Sequence, residues 1–137
     1  EVTESALTDS EARLSFALGQ LKKKGYSLWL DDFGSGYSSL NVLKDYEFDV
    51  MKIDLKFLVG FDENEQAKPL IDSVITMAKK LGMRTLCEGV ETRSQETFLR
   101  EHGCERLQGY LFGKAIPLEE FNQKILDKTI VISSHLL

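Results

Sequence analysis

The sequence predicts an α/β fold in which parallel strands alternate with helices as βα units around one sheet. Four helix patterns are legible, short β-type runs lie between them, and a polar side chain closes each of those runs. In parallel α/β folds, sites gather at the C-terminal ends of strands. Polar groups repeated at that edge therefore read as one site built from several strands.

The elements follow in order. Thr8 with Glu11 forms a capping box, and Leu14, Leu18 and Leu21 recur at i, i+4 and i+7. That helix ends in Lys22-Lys23-Lys24-Gly25, with cations in the last turn and glycine just past it. A β-run follows at 26–30, then a shorter helix at 39–45. The next β-run is 50–54. A second long helix covers about 66–81, with Ile71, Val74, Ile75 and Ala78 on one stripe and Gly82 as its stop. After the β-run at 84–88, a helix starts at Thr92 with Gln95 three residues on, carries Phe98 and Leu99, and stops at Gly103. A last β-run, 106–108, precedes a helix opened by Pro117, with Leu118, Phe121 and Ile125 inward. The tail 129–132 reads as a stray apolar strand. No linker or repeat divides the chain, so 1–137 reads as part of one domain.

Composition narrows the chemistry. Hydrophobic residues make up 42% and charged residues 28%, values of a globular protein with a real core. No apolar run reaches the ~18 residues of a membrane span, and the opening Glu1-Val2-Thr3-Glu4 does not resemble a signal peptide. A net charge of −5 argues against duplex nucleic acid as partner. Cys87 and Cys104 show no CxxC spacing and fit reduced thiols of a cytoplasmic protein. With only two histidines, a histidine-rich zinc site is not expected; any metal would be a hard ion on oxygen ligands.

The polar ends of the β-runs are Asp31 and Asp32, Lys52 and Asp54, Glu88 with Glu91 three on, and Gln108. Glu1 looks like the tip of an earlier strand. Most such residues have a plain alternative. A lone acid after a strand is usually a helix cap or a solvated turn, and that reading suits Asp54 and Glu91 taken singly. The hydroxyls of Tyr37, Ser38 and Ser39 suit a helix cap, and Cys87 suits a small core residue. Lys52 alone could be a solvated lysine on an edge strand.

Asp31 and Asp32 resist that treatment. Successive strand side chains point to opposite faces, so both acids converge only if the strand is already breaking. Gly34 and Gly36 permit such a break. Two like charges at close range also repel unless a cation compensates, and a divalent metal is the obvious one. Asp32-Phe33-Gly34 does not make a protein kinase, because the other motifs of that family are missing. Gly34-Ser35-Gly36 lacks the third glycine of a dinucleotide fingerprint.

Taken together, the motifs resemble the C-terminal part of an EAL domain, the cyclic-di-GMP phosphodiesterase family. They are Glu1-Val2-Thr3-Glu4-Ser5, Asp31-Asp32-Phe33-Gly34-Ser35-Gly36-Tyr37-Ser38-Ser39-Leu40, Lys52-Ile53-Asp54, Glu88-Gly89-Val90-Glu91-Thr92 and Gln108-Gly109-Tyr110-Leu111-Phe112-Gly113-Lys114. Their order and spread over nearly the whole chain make the match specific. Ala115 departs from the proline usual after Gly-Lys.

The resemblance implies a modified TIM barrel, which typically needs about 250 residues. The Glu-Ala-Leu signature and its following asparagine, both metal ligands in the family, are not in this chain. It implies Glu1, Asp31 and Asp32 as metal ligands for two Mg2+ or Mn2+ ions. By the same resemblance, Lys52 matches the lysine near the attacking water and scissile phosphate, and Glu88 the general base or water-orienting group. Glu91 and Gln108 fall near the metal–water network. Residues 33–39, including Gly34, Gly36 and Ser38, resemble a mobile loop linking the metal site to substrate binding and dimerisation, anchored by Glu4. The implied activity is two-metal hydrolysis of cyclic-di-GMP to the linear dinucleotide in the parent domain, with this chain alone inactive and prone to form a homodimer. The alternative is an inactive cyclic-di-GMP-binding or protein-interaction module. A metal-free scaffold whose acids are turn residues is the third reading.

Overall fold

A computed structural model describes residues 1–3, 11–34 and 39–127. The strands β1 (Val2–Thr3), β2 (Trp29–Phe33), β3 (Val50–Ile53), β4 (Arg84–Cys87) and β5 (Arg106–Leu107) form one sheet in the order β1-β2-β3-β4-β5. Every neighbouring pair is parallel. The connecting helices are α1 (Glu11–Lys23), α2 (Ser39–Asp45), α3 (Ala67–Lys80) and α4 (Arg93–Glu101), with α5 (Leu118–Leu126) after the last strand. A 3₁₀ turn, Leu55–Leu58, leaves β3 before α3. The α/β class and the alternation of parallel strands with helices are as the sequence predicts, and sequential strand order is what a chain of βα units produces.

The two sheet faces have different work. Leu30, Met51, Ile53 and Cys87 are fully or almost fully buried and pack with Ile71, Ile75 and Ala78 of α3 and with Leu99 of α4. The opposite face carries Val50, Lys52 and Leu86, all buried, and there the Arg106 guanidinium lies 5.3 Å over the Trp29 ring. Those two residues come from strands separated by β3 and β4, so their side chains meet above the middle of the sheet.

Local signals behave as their chemistry requires. Thr92 caps α4, its hydroxyl accepting from Gln95 N–H while the Gln95 side chain returns to the Thr92 backbone. Lys79 and Lys80 lie in the last turn of α3, and Gly82 follows with a φ of 76°. Asp49 Oδ2 accepts from Leu28 N–H at 2.6 Å, tying the entry of β3 to that of β2. At the far edge, Glu105 Oε2 accepts from both Thr85 N–H and its hydroxyl, at 2.7 and 2.6 Å. Its partial burial would raise its pKa, but those hydrogen bonds hold the carboxyl below its usual range.

Three expectations need correction. β2 is Trp29–Phe33 rather than 26–30, because the strand runs on through both aspartates. Leu118 is 68% exposed and α5 buries no residue among those described, since nothing described covers its apolar side. Leu21 is also exposed, whereas Leu18 of the same helix is buried. The Thr8 capping box, the tail 129–132 and the side chain of Leu14 lie outside the described residues.

Because α3 seals the helix-covered face of the sheet, Ile75→Ala should cost about 2–5 kcal/mol of unfolding free energy. Urea denaturation measures this, and a loss well under that range would show that the α3–sheet contact is not the main core.

Candidate active site

The site centres on Lys52, on the middle strand. Its side chain is only 10% exposed, so it is neither solvated nor on an edge. The Nζ lies 2.7 Å from Asp31 Oδ1, 3.1 Å from Glu88 Oε1 and 3.3 Å from Glu1 Oε1. Burial by itself would lower the lysine pKa. The hydrogen bonds and charges of Asp31 and Glu88 outweigh that and hold it well above the usual lysine range.

The two aspartates converge through a bulge. Leu30 aligns with Met51 and Phe33 with Ile53, so Asp31 and Asp32 together stand opposite the single residue Lys52. Asp32 takes a φ of 57°, the only positive φ outside glycine among the described residues. An aspartate tolerates that left-handed conformation better than most residues. Asp32 N–H donates to Asp31 Oδ1 at 3.0 Å. The break is therefore made at Asp32 itself, ahead of Gly34, and the strand resumes at Phe33.

Glu88 follows β4 and is held in register when its N–H donates to Ile53 O at 3.0 Å. Carboxylate oxygens of Asp31, Asp32 and Glu88 all lie within 4.8 Å of one another. Three carboxylates at that spacing, half-buried and beside one lysine, are an all-oxygen donor set. Such a set fits a hard divalent cation and suits neither a soft nor a nitrogen-preferring metal.

Other predicted residues stand around this centre. Glu1 precedes β1 and reaches Lys52 but is not in the three-carboxylate group. Glu1 directly precedes Val2 and Thr3, which pair with Leu30 and Asp31. Gln108 brackets the Glu88 turn through its backbone, donating to Cys87 O and accepting from Val90 N–H at 2.9 and 3.0 Å. A Cβ at Gly109 would overlap the Val90 backbone, which explains the glycine. Glu91 is exposed, and its N–H donates to Gln95 Oε1 as part of the α4 cap; its carboxylate is not brought into the cluster. Asp54 is a cap, with Oδ1 accepting from Lys56 N–H at 2.7 Å. Cys87 is fully buried, and burial pushes its thiol pKa far up, as suits a core residue. Glu4, Gly36 and Ser38 lie outside the described residues. Sequence reasoning missed the 3₁₀ turn, because Leu55-Lys56-Phe57-Leu58 has neither period 2 nor a full helical repeat; the Asp54 cap was its only local signal.

Comparison with known proteins now adds to this geometry. The family model described as "EAL domain" matches residues 1–115. The chain belongs to the EAL domain family. It is 42% identical over 124 residues to the cyclic di-GMP phosphodiesterase NbdA of Pseudomonas aeruginosa, covering 88% of this chain and 16% of that protein. The EAL domain of Mycobacterium smegmatis DcpA superposes with a TM-score of 0.83 at 36% identity, over 95% of this chain and 58% of that one. The manganese and cyclic-di-GMP complex of Klebsiella pneumoniae BlrP1 gives 0.76 at 30% identity, over 82% and 29%. The chain thus spans a minor part of its curated relatives' length. No helix among the described residues is long and apolar enough to cross a membrane.

Removing the central cation should expose the repulsion among the acids. Lys52→Met is expected to lower stability by about 1.5–3 kcal/mol near neutral pH. The folded lysine pKa is raised above its unfolded value. Its contribution is therefore full below about pH 10.4 and declines as pH rises beyond that. Denaturation of both proteins in chelator across pH 7–11 checks this. A gap that grows above that value would reverse the assigned sign.

Proposed function

We propose that this chain is the C-terminal part of an EAL domain that hydrolyses one phosphodiester bond of cyclic-di-GMP to the linear dinucleotide. The observation that carries the reading is the meeting of the Asp31, Asp32 and Glu88 carboxylates, two of which, Asp31 and Glu88, also pair with Lys52. The substrate named for NbdA and bound to BlrP1 supports it.

Asp31 and Asp32, with Glu88 in reach and Glu1 beyond Lys52, would hold divalent ions, magnesium or manganese. When bound, these supply a water of lowered pKa and neutralise the phosphoryl oxygens. Lys52 adds a fixed positive charge where negative charge builds on the phosphate. Glu88 orients the water and takes its proton on a carboxylate oxygen as the water oxygen bonds to phosphorus. The phosphorus–oxygen bond to the departing ribose breaks, and that oxygen takes a proton from solvent. Gln108 and Glu91 act through polar contacts at the rim. The loop with Gly34, Gly36, Ser38 and its anchor Glu4 couples the site to substrate and to a second copy in a homodimer. The ligands of the Glu-Ala-Leu signature are not in this chain, so the chain alone turns over little. The buried free thiols of Cys87 and Cys104 suit a cytoplasmic setting.

The test is conversion of cyclic-di-GMP by the whole domain with manganese. Glu88→Gln should lower the rate by about 10²-fold or more, and unchanged turnover would remove Glu88 from its role. Asp31→Asn should abolish manganese binding measured by calorimetry. Ligand binding without turnover by the unsubstituted domain would instead identify a sensing module.

A further inference from the structure

We propose that the 3₁₀ turn Leu55–Leu58 is a spacer that sets the separation of the two carboxylate-bearing strand ends, with Phe57 and Leu55 as positioning residues for the divalent-cation site. This rests on the metal reading above and adds to it the part of the chain that holds the site's dimensions.

The turn is fixed locally. Asp54 Oδ1 accepts from Lys56 N–H, and Asp54 O accepts from Phe57 N–H at 3.1 Å. Leu58 is buried and anchors it to the core. Its other two apolar side chains reach in opposite directions along the sheet edge. The Phe57 ring lies almost parallel to that of Phe33, with centroids 6.5 Å apart and planes 6° apart. Its Cε2 and Cζ fill the space that a Cβ on Gly34 would need. On the other side, Leu55 Cβ fills the space that a Cβ on Gly89 would need.

Those two glycines bracket the chemistry. Gly34 is two residues past Asp32, and Gly89 directly follows Glu88. Both have positive φ, 95° and 72°, so the chain bends at each point of contact. Leu55 is about half exposed, so its contact with Gly89 is not explained by burial of the side chain. One turn therefore leans on both segments whose acids must approach against their mutual repulsion. Neither contact touches a carboxylate; each fixes the backbone from which one hangs.

The experiment measures Mn2+ affinity of the whole domain by the electron paramagnetic resonance of free Mn2+, beside thermal melting. Phe57→Ala should weaken binding by about 10–100-fold, the range for residues that support metal ligands. Phe57→Tyr places an oxygen at Cζ, against Gly34, and should weaken binding while the melting temperature holds. Phe61→Ala is the control: it removes a more deeply buried ring, 5.3 Å from Phe98, and should lower the melting temperature with manganese affinity unchanged. Unaltered affinity in folded Phe57→Ala or Phe57→Tyr, or equal weakening by Phe61→Ala, overturns the spacer. Absence of Mn2+ binding by the unsubstituted domain overturns the metal reading itself, and the spacer with it.

Discussion

Lys52 is a cation held out of water on the middle strand of the sheet, and three carboxylates close on its ammonium. Burying a charge without partners is costly, so the lysine requires the acids. Asp31 and Glu88 equally require the lysine, since together with Asp32 they bring three like charges within 4.8 Å of one another. This mutual requirement links β2, β3 and the residue after β4 at one height along the sheet. It also draws in Glu1 beside β1. The arrangement is an electrostatic constraint first and a chemical site second: the same charges that hold the strand ends together leave an excess of negative oxygen gathered at one point.

The backbone had to deform to satisfy that constraint. A regular β2 would have sent Asp31 and Asp32 to opposite faces. Inserting one extra residue opposite Lys52 and turning Asp32 to positive φ brings both carboxylates to one side. Strained, non-glycine backbone at a cluster of acids is where function is commonly found. The bent glycines at Gly34 and Gly89 and the turn lodged between them extend the same logic. A site of repelling groups needs a rigid frame, and here the frame is short, local and made of apolar contacts.

Much of this was legible in the residues. The stripe Ile71, Val74, Ile75 and Ala78 announced α3 and its buried face, and Thr92 with Gln95 announced the cap of α4. Acids at the ends of β-runs pointed to one shared edge, as Asp31, Asp32 and Glu88 show. Other features had no local signature. A bulge depends on the register with a neighbouring strand, so β2 was placed three residues too early. Glu91 and Glu88 lie three residues apart in similar surroundings, yet only Glu88 joins the cluster, because the α4 cap pins Glu91 at the surface. The apolar positions of α5 have helical spacing but no described partner, so periodicity overstated their burial.

By itself, the sequence determined the alternation of strands and helices, the family, and the residue types that could form a hard-metal site. These follow from spacing, capping chemistry and motif order, which are properties of neighbours along the chain. Tertiary structure alone decided that Lys52 is central and buried, that Asp32 adopts a left-handed turn, and that Phe57 and Leu55 meet Gly34 and Gly89. Each of these depends on which strand lies beside which and in what register, and such long-range pairings leave no mark on the residues flanking them.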